Sequence, residues 1–203
     1  MAEVEAARAT SATGRQFGAS LVELVIGLAV AGILLQAAAP SFVRWRQLRR
    51  LHLAGWSLVM AGVGLRAAAA ADGRTRAIVF DLDPEPGWLL AVDGDGDGVR
   101  RADLQAGVDR GLRPRTVISK RFAGVEIGLP PGRRGINGRA VDDGTVLGRS
   151  DILSFGPSGG ASTGTVYLRN RFGDAVAVRV YGPTGRLALW EIRQSQTSWA
   201  RVW

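Results

Sequence analysis

Residues 19–39, ASLVELVIGLAVAGILLQAAA, run for 21 residues with a single formal charge, Glu23. At a rise of about 1.5 Å per residue, roughly 20 helical residues cross a hydrocarbon core of about 30 Å. No other stretch of the chain has this character, so the sequence predicts one transmembrane helix. The helical pattern continues past Pro40. Leu48, Leu51, Leu58 and Leu65 recur at three- and seven-residue steps, and Gly55 and Gly62 lie on the same stripe. The predicted helix therefore runs from about 20 to 71, roughly 75–80 Å at helical rise, and Asp72-Gly73 supplies its stop. Pro40 is expected to kink it, since proline removes one backbone donor and crowds the preceding turn.

Beyond Gly73 the period changes. Short strand-like runs follow at Thr75–Phe80, Trp88–Val92, Thr116–Ser119, Val125–Leu129, Asp151–Phe155, Thr165–Leu168, Ala175–Tyr181 and Arg186–Glu191, separated by Gly, Pro and Asp. Trp88–Val92 is continuously apolar and reads as a buried strand. In Ala175–Tyr181 the three valines Val176, Val178 and Val180 share one face, and Pro183-Thr184-Gly185 predicts a hairpin turn after it. Residues 130–144, PPGRRGINGRAVDDG, have no apolar period and read as a long loop.

A chain of 203 residues with 46% hydrophobic residues can bury a core. The absence of cysteine excludes disulfides, thiolate metal sites and cysteine nucleophiles. His52 is the only histidine, so neither a histidine-dependent triad nor a multi-histidine metal site can be assembled. Asp81, Asp83 and Glu85 read as a solvated turn, and nothing in the sequence positions them for acid–base work. These features point away from an enzyme and imply no cofactor. The formal net charge is +8. Such an excess suits anionic partners such as lipid headgroups, acidic protein faces or nucleic acid, and it equally suits a solvated arginine-rich surface.

Two processing readings compete at the N-terminus. Ala37-Ala38-Ala39 offers the small-residue site of an ordinary signal peptide, but Pro40 would follow the cut and Glu23 interrupts the apolar run. The alternative begins at Gly18. The segment Gly18-Ala19-Ser20-Leu21-Val22-Glu23 resembles the cleavage and methylation motif of type IV prepilins and pseudopilins. The resemblance implies that a prepilin peptidase cuts between Gly18 and Ala19 and that Ala19 becomes the N-methylated first residue. It also implies assembly roles for Glu23, at the fifth mature position, and for Pro40, at the twenty-second. The family more often has Phe where this chain has Ala19. A carboxylate in hydrocarbon costs a few kcal/mol, and its natural partner is the N-terminal amine of a neighbouring subunit. One feature runs against the implied orientation: Arg44, Arg46, Arg49 and Arg50 follow the span, whereas positive residues favour the cytoplasmic side.

Three later segments, GWLLAVDGDGDG (87–98), ILSFGPSGGASTGTVYL (152–168) and AVRVYGPTGRLALW (177–190), resemble the GspH/FimT-type minor pilin domain. That resemblance implies an α+β, type IV pilin-like fold with a long N-terminal helix packed on antiparallel β-sheets. The expected organisation is a leader at 1–18, a transmembrane or filament-core helix at 19–39, its amphipathic continuation at 40–72, a β-rich periplasmic domain at 73–192 and a tail at 193–203. The implied role is a minor pseudopilin of a type II secretion system, in the inner membrane with its globular domain in the periplasm. Its partners would be other pilins or pseudopilins, the prepilin peptidase and the assembly platform. A FimT-like minor pilin that binds DNA for uptake is the alternative. It draws on Arg186, Arg193 and Arg201 beside Trp199 and Trp203, but lacks the second arginine of the family's Gly-Arg-x-Arg hairpin.

Asp93, Asp95, Asp97 and Gly98 match the opening of a calcium loop, D-x-D-x-D-G. The twelfth position, which should carry a bidentate carboxylate, is Leu104, and the flanks read as strands. The expectation is a glycine-rich turn without a metal.

Overall fold

The computed structural model describes residues 20–148 and 150–203. The leader and the Gly18–Ala19 pair lie outside them. The chain divides into two compact units, the first ending at Phe42 and the second spanning Val43–Trp203.

Helix α1, Leu21–Asp72, is 52 residues long and includes Pro40. Its N-terminal part is long and apolar enough to cross a membrane, and none of the most apolar window is buried. From Gln47 onward the helix is different. Leu51, Ala54, Gly55, Leu58, Val59, Gly62, Leu65 and Ala69 are buried, which is the leucine–glycine stripe of the sequence except for Leu48, which is half-buried. Gly73, at φ 69°, ends the helix in the left-handed conformation that glycine adopts most easily.

The elements that follow are β1 (Arg76–Asp81), β2 (Gly87–Val92), α2 (Arg101–Ala106), β3 (Arg110–Gly111), β4 (Thr116–Val117), α3 (Ile118–Arg121), β5 (Val125–Ile127), β6 (Thr145–Val146), β7 (Ile152–Phe155), β8 (Gly164–Asn170), β9 (Ala175–Tyr181), a 3₁₀ turn (Gly182–Thr184), β10 (Arg186–Ile192) and β11 (Ala200–Arg201). They make two antiparallel sheets. The first has the order β3-β2-β1-β7, with β4 also pairing β2; the second has the order β11-β10-β9-β8-β5, with β6 also pairing β8. The architecture is α+β: a long N-terminal apolar helix followed by antiparallel sheets, compatible with a pilin-like fold.

The second half of α1 packs into one core with both sheets. Leu51, Leu58 and Leu65 join Ile78, Phe80, Trp88 and Phe155 of the first sheet and Val176, Val178, Val180, Leu187 and Leu189 of the second. The valines of β9 thus turn inward as their alternation requires. A smaller cluster, Ala77, Val79, Ala91, Val99 and Ile152, lies on the other face of the first sheet under Leu104 of α2.

Several expectations change in detail. Thr116–Ser119 is not a four-residue strand: the chain pairs with β2 at Thr116 and Val117, then turns helical. The helical turn brings Ile118 and Phe122, four residues apart, into the core together. Helix α2 has no apolar stripe of its own and ends on Gly107 at φ 77°. The tail at 193–203 contains β11, which pairs with β10 through Trp190–Arg201 and Glu191–Ala200.

Candidate functional site

Glu23 sits in the first turn of α1, where an acid complements the unpaired backbone N–H groups of the helix start. The turn opens with Leu24 N–H donating to Ser20 O at 3.1 Å. Around it the side chains are apolar and uncovered: Leu21 is 79% exposed and Leu28 65%. Pro40 lies inside the same helix, seventeen residues on from Glu23. Among the described residues of this first unit the large leucines and valines from Leu21 to Leu35 are all exposed.

The Asp loop is organised by its own backbone. Asp93 is 2% exposed and its two carboxylate oxygens accept N–H donors from Gly96 at 2.7 Å and Gly98 at 2.9 Å. Asp109, equally buried, accepts from Gly94 at 2.9 Å and Arg100 at 2.8 Å. These four bonds close a turn between β2 and α2 that two buried carboxylates hold rigidly. Asp93, Asp95 and Asp97 bring their oxygens within 4.8 Å of one another, but Asp97 is paired with Arg100. Its carboxyl is shifted upward from the ordinary value, chiefly by loss of hydration and also by Asp95, with Arg100 opposing. Both Asp93 oxygens already serve amides, as a structural turn requires.

The basic residues of the DNA reading fall in different settings. Arg186 and Arg201 are exposed. Arg201 lies opposite Trp190 in register, and Arg186 is four residues along the same strand, so both belong to the outward face of the second sheet. Arg179, opposite Ala188, shares that face. Arg193 does not join them: it lies past the end of β10 and pairs with Glu191 at 3.6 Å, the same carboxylate that His52 Nε2 approaches to 2.8 Å.

The loop 130–144 and the tail, which the sequence left unconnected, are fastened to each other. The Arg133 guanidinium donates to three main-chain carbonyls of the tail, those of Arg193, Gln194 and Gln196. Trp199 Nε1 donates to Arg134 O at 3.0 Å, and its ring tilts against Tyr167 at 5.7 Å. Trp203 packs at 5.7 Å from Trp56. The tail tryptophans therefore pack on their own domain. Together the two segments cover Tyr167, whose hydroxyl accepts the Ile136 N–H at 3.1 Å; burial pushes its phenol above the usual tyrosine value. Sequence alone carried no signal for the Arg133 clamp, because one arginine among 26 basic residues looks like any other until its three carbonyl partners are in place.

Comparison with known protein families, with curated protein sequences and with solved structures finds no match.

Proposed function

We propose that this chain is a membrane-held, pilin-like structural subunit, a minor pseudopilin of a type II secretion filament or a closely related minor pilin. The observation that carries the reading is the split character of α1. Its N-terminal part exposes an uninterrupted apolar surface with a carboxylate at its start, while its C-terminal part is the spine of a β-rich domain. A helix so divided suits a subunit that waits in the bilayer and later transfers its apolar half from lipid to a bundle of like helices. In that transfer Glu23 would lose water and lipid headgroups together, and pairing with a neighbour's terminal amine would offset the cost. The prepilin peptidase, the assembly platform and other pilins are the partners this role requires, with the inner membrane as its station and the periplasm as the side of the globular domain. The work is assembly, and the reading assigns no catalysis and no cofactor.

The test is in-membrane cross-linking to co-expressed pilins. Glu23→Ala should leave insertion intact or improve it, because a charge leaves the apolar span. Incorporation with other subunits should fall. Unchanged cross-linking in that variant would remove the role given to Glu23.

A second reading, DNA capture, is favoured by one observation: register gathers Arg179, Arg186 and Arg201 on the outward face of the second sheet beside Trp190. Each phosphate contact steepens the log–log salt dependence by about 0.9 for duplex DNA. Under DNA capture, binding persists near physiological salt and Arg186→Ala weakens it far more than Arg139→Ala in the 130–144 loop. Under the filament reading, affinity collapses by roughly 200 mM salt and single arginines matter about equally.

A further inference from the structure

Between the second half of α1 and the connection from β3 to α3 lies an open groove of about 1020 Å³. Its helix wall is a face of small residues, Ser57, Ala61, Gly64 and Ala68, at steps of four, three and four. Two apolar side chains stand uncovered in it, Met60 at 53% and Leu112 at 38% exposure. The rim is entirely of one sign. Arg76, Arg113, Arg115, Lys120 and Arg121 line the groove, and no acidic residue does. Three of these cations have carboxylate partners behind the rim: Arg76 with Asp72, Arg115 with Asp81 at 3.3 Å, and Lys120 with Glu85 at 3.0 Å. Arg113 and Arg121 have no carboxylate partner among the described residues, and Arg121 instead lies 5.7 Å over the Phe122 ring.

We propose that this groove docks an acidic, aliphatic segment of a partner protein. The charge decides the sign of the occupant: two uncompensated guanidiniums over a wall without acids favour an anion, and their forked donors pair bidentately with carboxylates. The apolar strip decides the rest. Met60 and Leu112 gain by contact with aliphatic side chains, which a sugar–phosphate backbone does not offer them. Trp88 lines the groove but is only 3% exposed, so no ring is free to stack on a base. The small side chains of the helix wall leave room for a main chain to lie close to α1. A segment that alternates carboxylates with leucine-like residues meets rim and strip together. This inference does not depend on the membrane or filament reading, because the groove lies wholly within the Val43–Trp203 unit.

The test uses the full chain in nanodiscs of zwitterionic lipid. The probe is a twelve-residue peptide alternating glutamate with leucine and carrying a central benzophenone. Its control has glutamine in place of glutamate. The expected result is photolabelling of the segments that contain Met60 and residues 112–117, reduced about tenfold with the glutamine peptide, a loss equivalent to one good charged contact. Arg113→Glu with Arg121→Glu should cause a similar loss. So should Gly64→Leu, which fills the groove from the helix side; a Cβ there meets nothing within 4 Å and the position faces the open groove, so the fold and its unfolding midpoint should be retained. Equal labelling by both peptides, or labelling indifferent to these variants, would overturn the proposal. So would displacement of the peptide by phosphatidylglycerol added to the disc, which would assign the groove to lipid, or cross-linking of two copies of the chain through the groove in preference to the peptide.

Discussion

In the first half of α1, Leu21, Ile33 and Leu35 are 79%, 68% and 71% exposed; in the second half, Leu51, Leu58 and Leu65 are 0%, 2% and 5% exposed. Leucine is the common currency of both halves, so hydrophobicity alone does not separate them. Spacing does. In the second half the leucines recur on one stripe with glycines between them and that stripe meets two sheets, while Arg46, Arg49, Leu53, Met60 and Val63 on the other side stay exposed. In the first half apolar residues occur all round the helix, so no single partner face could cover them. A helix apolar on every side belongs in lipid or among other helices.

The sharpest way to break this comparison is to truncate one leucine in each half. Leu58→Ala should destabilise the domain by about 2–5 kcal/mol, the usual cost of a buried cavity. Leu28→Ala should move domain unfolding by less than about 0.5 kcal/mol, as an uncovered site does. Chemical denaturation followed by tryptophan fluorescence reads both, and equal costs would erase the distinction. The glycines sharpen it further, because the two halves should respond with opposite sign. A Cβ at Gly62 would stand 2.5 Å from Leu187 Cδ2 and 3.1 Å from Phe155 Cζ, so Gly62→Ala should cost about 1–3 kcal/mol by overpacking. At Gly27 a Cβ meets nothing within 4 Å, and Gly27→Ala should instead favour the helix by about 0.5–1 kcal/mol, visible as increased helicity in detergent.

A domain that closes on itself should also satisfy its own buried polar groups, which the Asp loop tests. Asp93→Ala strands the N–H groups of Gly96 and Gly98 and should cost about 1–3 kcal/mol. Calorimetry of the parent chain should show no micromolar calcium binding; binding at that level, lost in Asp95→Ala, would turn the structural turn into a metal site. A single hydrogen bond of the same kind is tested at Tyr167. Tyr167→Phe removes the acceptor of the Ile136 N–H and should cost about 1 kcal/mol at neutral pH. Burial raises the folded phenol above its unfolded value of 10.0, so its contribution is complete below pH 10 and is lost as pH rises through the folded value. The phenylalanine variant should therefore lose stability less steeply above pH 10, measured by thermal unfolding across the alkaline range.

Local pattern was enough where one element's period decides its own burial. The leucine–glycine stripe, the β9 valines and the turn through Gly185 were all legible, because spacing of 3.6 or 2 residues is a property of the segment itself. What was not legible depends on partners distant in the chain. Ile118 and Phe122 become a helical pair only because β4 stops after Val117 and the core lies beside it. Strand β11 exists because β10 presents Trp190 and Glu191 to it. Arg133 becomes a clamp only when the tail's carbonyls arrive from sixty residues away. The groove is likewise shared between α1 and the 112–121 segment, so neither segment displays it alone.

The central claim is that the apolar half of α1 is retained in the mature protein as a pilin-type membrane segment. Intact-mass analysis of membrane-extracted protein tests this most directly. The account predicts a chain that begins at methylated Ala19 and keeps Glu23 and the whole of residues 19–39, with cleavage blocked by Gly18→Val. A chain beginning at Pro40 would contradict it, because the apolar half would then be a signal peptide that the mature protein has lost.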